Sequence, residues 1–127
     1  MQGKHLFEYA IIRIVPRVER EEFLNVGIIL YCKDRKFLDT KYSINNERIG
    51  ALCAEVDCAE VEEHLQSFEK IAKGHKDGGS IGALDLPSRF RWLAATRSTI
   101  IQTSKVHPGF TEDPQSTLEK LYQEFVL

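Results

Sequence analysis

The first third of the chain alternates and clusters apolar residues as strands do. Phe7-Glu8-Tyr9-Ala10-Ile11-Ile12-Arg13-Ile14-Val15 is rich in β-branched and aromatic side chains and stops at Pro16, which predicts a strand. A charged connector, 17–22, precedes a second apolar stretch from Phe23 to Cys32. Its run Val26-Gly27-Ile28-Ile29-Leu30-Tyr31 predicts a central strand buried on both faces, and Gly27 inside it predicts a bulge or the close approach of another backbone. Lys33-Asp34-Arg35-Lys36 is a polar turn, and Phe37 to Tyr42 supplies a third strand. Connections this short join antiparallel neighbours, because a parallel crossover needs about a dozen residues.

The period then changes. Cys58, Val61, Leu65, Phe68 and Ala72 recur at steps of three and four, the apolar stripe of an amphipathic helix. Asp57 is placed to cap its start, with Glu60 three residues on, and Gly74 to end it. A shorter helix is expected over 45–52. The stretch from His75 to Leu86 holds Gly78, Gly79 and Gly82 and reads as a loop. Ser88 to Ala95 reads as a short helix or turn, Thr99 to Thr103 as a fourth strand, and Val106-His107-Pro108-Gly109 as a turn. Asp113-Pro114 opens a last helix with Leu118, Leu121, Tyr122 and Phe125 on its apolar face. The order β-β-β-α-α-β-α predicts an α+β fold, an antiparallel sheet of about four strands with helices packed on it. The 127 residues suit one domain, 1–127.

Composition narrows the function classes. A hydrophobic share of 43% is that of a globular chain, and a net charge of -2 argues against bulk polyanion binding, leaving nucleic acid as the lesser partner class. The longest apolar run, Val26 to Tyr31, is far short of the ~20 residues of a membrane span. Met1 to His5 shows no apolar signal region, and Cys32, Cys53 and Cys58 read as free thiols, so a cytoplasmic setting is expected. Cys53, Cys58 and His64 lack a fourth ligand and the usual spacing, so neither a metal nor a cofactor is expected. The glycine stretch has no phosphate-loop lysine, and no metalloprotease or nucleophile-elbow motif is present.

Charge is unevenly spread. Residues 49–69 carry six acids and no lysine or arginine, whereas 86–111 carry no acid. The second stretch holds Arg89, Arg91, Arg97, Ser98, Ser104, Lys105 and His107, a set of planar guanidinium donors and hydroxyls suited to a phosphate or other anion. Pairing of those arginines with the acidic helix is the competing expectation. Arg13 joins the argument because strand alternation puts it on the apolar face of Phe7, Tyr9, Ile11 and Val15, where a guanidinium needs a carboxylate, carbonyls or an anion. The anion site expected from sequence is thus Arg13, Arg91, Arg97, Ser98, Ser104 and His107.

The segments Tyr9 to Pro16, Glu22 to Leu30, Arg89-Phe90-Arg91-Trp92-Leu93, Arg97-Ser98 and Ser104 to Gly109 resemble the bacterial family called domain of unknown function 3037. The resemblance carries no activity and no catalytic residues. It implies a protein partner, a kinase-like protein of the HipA type, in a toxin–antitoxin or defence setting. The favoured expectation is a non-catalytic binding or regulatory module with an anion pocket for a phosphate or nucleotide. The second expectation is an enzyme on a phosphorylated or nucleic-acid substrate, with His107 as acid and base. The third is a homo-oligomer built through exposed sheet edges.

Overall fold

The computed structural model describes residues 4–74, 78–95 and 100–127. Strand β1 (His5–Ile14) is the spine of an antiparallel sheet, with β2 (Leu24–Cys32) beside it and β3 (Phe37–Tyr42) beyond β2. Two short strands lie end to end along the other edge of β1. Ile12–Ile14 pair with β4 (Ile101–Thr103), and His5–Tyr9 pair with β5 (His107–Thr111).

The predicted α+β fold is therefore present, with a fifth strand where a turn is expected at 106–109. Proline and glycine disguise β5 in the sequence, and their positions explain why it forms. Pro108 lies opposite Glu8 on an edge strand, where a missing N–H costs least. Gly109 lies opposite Phe7, and a Cβ there would come within 2.5 Å of the Phe7 ring. Gly27 is needed for a similar reason: a Cβ on it would sit 2.8 Å from the Tyr42 Cβ and 2.9 Å from the Lys41 carbonyl oxygen. The register slips one residue further on, where Ile12 faces Gly27 but Arg13 faces Asn25, so close approach and bulge both occur at the expected place.

Both faces of the sheet are covered. Helix α5 (Pro114–Phe125) lays Leu118, Leu121 and Tyr122 on Phe7, Ile11, Ile28 and Leu30. On the opposite face α1 (Asn46–Leu52), α2 (Cys58–Ala72) and α4 (Leu86–Ala94) bring Ile49, Val61, Leu65, Phe90 and Leu93 to Ile12, Ile14, Val26, Ile29 and Tyr31. This two-sided burial is what the uninterrupted apolar run of β2 encodes.

The expected caps hold. Asp57 accepts the N–H groups of Ala59 and Glu60, and Asp113 that of Gln115. Gly74 takes the left-handed conformation after α2, with φ of 67°. Part of the glycine stretch winds into one helical turn, α3 (Gly79–Gly82), where a loop is expected; 75–77 lie outside the described residues. Among the described residues no helix is long and apolar enough to cross a membrane.

Candidate functional site

The sheet separates the residues expected to share an anion pocket. Odd-numbered positions of β1 up to Arg13 face α5, and even-numbered ones face α4. Arg13 is half-buried on the α5 side, where its Nε donates to Asn25 Oδ1 at 3.3 Å and its guanidinium lies 4.1 Å from the Phe23 ring centroid. Asn25 in turn donates to the Phe125 carbonyl at 3.1 Å. An amide oxygen and an aromatic face thus engage the half-buried guanidinium, and no carboxylate pairs with it among the described residues. Burial lowers its pKa from the usual arginine value.

His107 is exposed on the same side, its ring 5.3 Å from that of Tyr9. Ser104 is buried and fully committed. Its Oγ accepts the Ile11 N–H at 2.8 Å and donates to the Lys105 carbonyl at 2.9 Å, while its N–H donates to the Ile11 carbonyl at 2.9 Å. The hydroxyl carries the ladder across the break between β4 and β5, so its role is structural. Arg91 stands on α4, across the sheet from Arg13 and His107. Arg97 and Ser98 lie outside the described residues. A single hollow shared by Arg13, His107 and Arg91 is therefore not formed. Among the described residues neither Arg89 nor Arg91 pairs with an acid of α2: Arg89 donates to the Ile71 and Ala72 carbonyls at the end of that helix, and Arg91 has no ion-pair partner.

Arg91 instead lines a cleft of about 630 Å³ between α4 and one corner of the sheet. Pro87, Phe90, Arg91, Ala94 and Ala95 form one wall, at the spacing of a single helix face. Leu6 and Glu8 of β1 and Tyr31 of β2 form the floor, Val106 closes one side, and Lys33 and Asp34 stand at the mouth. Asp85 sets the helical wall by accepting the Ser88 N–H at 2.9 Å, and Pro87 sits in the first turn.

Tyr31 is the least expected member. It closes the predicted core run, is only 7% exposed, and stacks on Phe90 with ring centroids 5.2 Å apart. Burial raises its pKa, Glu8 raises it further, and Arg91 acts in the opposite direction. Glu8 and Leu6 carry a legible signal, since alternation from the core positions of β1 turns both toward this side. Tyr31 carries none, because a tyrosine ending an apolar run reads as core. Among the described residues no three His, Cys, Asp or Glu side chains gather to hold a metal, and Cys32, Cys53 and Cys58 are free.

A family model described as a protein of unknown function (DUF3037) matches residues 9–126, nearly the whole chain, and the chain belongs to that family. No curated protein and no solved structure matches it.

Proposed function

We propose that this member of the DUF3037 family is a non-catalytic binding module that holds a protein partner on the open corner of its sheet, beside the α4 cleft. One observation carries the reading. Leu6, Val106 and Phe110 are 51%, 40% and 61% exposed, and they adjoin one another, since Leu6 and Phe110 are register partners and Leu6 and Val106 line the same cleft. A contiguous apolar patch rimmed by charge, here Lys33, Asp34 and Arg91, is the anatomy of a protein interface. Covering the exposed half of each such side chain is worth roughly 0.7–1.5 kcal/mol.

Catalysis by His107 has less support. The imidazole is on the far side of the sheet from the cleft, and the Ser104 hydroxyl nearby in sequence is spent on the ladder. A kinase-like protein is the first partner to test, as the family resemblance implies. The experiment is co-purification of the native protein at low salt, with bound proteins identified by mass spectrometry, for wild type and for Leu6→Asp/Phe110→Asp. The expected result is one protein retained in stoichiometric amount by wild type and reduced about tenfold or more by the folded variant. A polypeptide that elutes alone, or a partner retained equally by both, overturns the proposal.

A further inference from the structure

We infer that the α4 cleft is itself a small-molecule site, and that its ligand is a compact zwitterion of the free amino-acid class. The cleft brings together an acid and a base from different elements, Glu8 of β1 and Arg91 of α4. Neither has an ion-pair partner among the described residues, although each acts on the Tyr31 hydroxyl. Tyr31 is more than nine-tenths buried, lines the cleft, and its hydroxyl makes no hydrogen bond to a described residue. The fully buried side-chain atoms without a partner among the described residues are Thr40 Oγ1 and Arg89 Nε, so the Tyr31 hydroxyl meets the solvent of the cleft and is open to a ligand atom there.

Elimination gives the ligand class. A lone cation drawn to Glu8 would face the Arg91 guanidinium and Lys33 at the mouth, and a lone anion drawn to those two cations would face the Glu8 carboxylate. A purely apolar molecule would leave both charges and the hydroxyl unanswered. A molecule carrying an ammonium and a carboxylate answers all three, its carboxylate on Arg91 and its ammonium on Glu8, with the Tyr31 hydroxyl free to bond either group. Leu6, Phe90, Ala94 and Val106 offer the remainder of the ligand an apolar wall. A volume of about 630 Å³ is ample for such a molecule and falls within the range of small-ligand sites. Asp34 is less available, because it lies 3.4 Å from His5 Nδ1 at the mouth.

The test is calorimetry and thermal shift on the purified chain with free L-amino acids, among them leucine and phenylalanine. Inorganic phosphate, acetate and butylamine serve as single-charge controls. At least one amino acid is expected to bind with Kd below about 1 mM and to raise Tm. Glu8→Gln and Arg91→Gln should each weaken it about tenfold or more, and Tyr31→Phe about threefold to tenfold. Binding of no amino acid, equal binding of phosphate, acetate or butylamine, or affinity unchanged in Glu8→Gln and Arg91→Gln overturns the inference. Phe110→Asp should leave amino-acid affinity unchanged, because Phe110 does not line the cleft. The outcome is thereby separate from that of the partner experiment.

Discussion

A single hydroxyl shows how a residue that looks chemical in sequence serves the fold. Between β4 and β5 the Ser104 N–H keeps its bond to the Ile11 carbonyl, but the Ile11 N–H opposite is answered by a side chain and not by the backbone ladder. Ser104 Oγ takes that N–H at 2.8 Å and passes a hydrogen on to the Lys105 carbonyl. Ser104→Ala leaves the Ile11 N–H buried and unpaired, so it should destabilise the protein by about 1–3 kcal/mol, measured by urea unfolding. Ser104→Thr keeps the oxygen and should cost less, although its added methyl must fit a buried site. Loss of under about 0.5 kcal/mol in Ser104→Ala would show that the backbone closes the break unaided.

At the scale of elements, α4 matters most because it forms one wall of the cleft. It has nine residues, too few to be stable alone, so its cap and its buried Phe90 and Leu93 must hold it. Asp85→Ala should cost about 1 kcal/mol in Tm or urea measurements. Asp85→Asn keeps an acceptor oxygen and should recover much of that loss. The elements are where sequence is most legible, and the reason is visible in particular residues. β2 could be recognised because Val26–Tyr31 is apolar throughout, and α2 because Cys58, Val61, Leu65, Phe68 and Ala72 keep a helical step with Asp57 and Gly74 at its ends. β5 was hidden because Pro108 and Gly109 signal a turn locally, while the facts that admit them to a strand are the free edge and the Phe7 ring. The site was hidden for a different reason. Arg13 and Arg91 share a charge but not a face of the sheet, and no local pattern reports which helix covers which face. The Glu8 half of the cleft follows from alternation, whereas Tyr31 becomes a site residue only through the gap beside α4.

For the whole molecule, titration links the two covered faces of the sheet to stability. Tyr42 at the end of β3 donates to Glu69 of α2 at 2.9 Å. Burial, then the bond to Glu69, pushes its pKa up to about 12. Burial raises Tyr31 as well. A folded-state pKa above the unfolded value means that the native protein holds the proton when the unfolded chain has released it. The contribution is complete below pH 10 or so and is lost as pH climbs toward about 12. The acid limb has the opposite sign. Glu69 is lowered by Lys73 and Tyr42, Asp85 by its hydrogen bonds from Ser88, and Asp113 first by that from Ser116. Their contributions are present above the ordinary carboxylate range and fade as pH falls through the lowered values. Stability should therefore be flat through neutral pH and fall at both ends. Tyr42→Phe isolates the alkaline limb: it removes the hydrogen bond at every pH but also the ionisation that favours the unfolded chain. Urea unfolding at pH 9 and pH 11.5 should show wild type losing more stability between the two than Tyr42→Phe does. Parallel losses in the two proteins would mean that Tyr42 titrates in the folded state as it does in the unfolded chain, and that its bond to Glu69 does not tie β3 to α2.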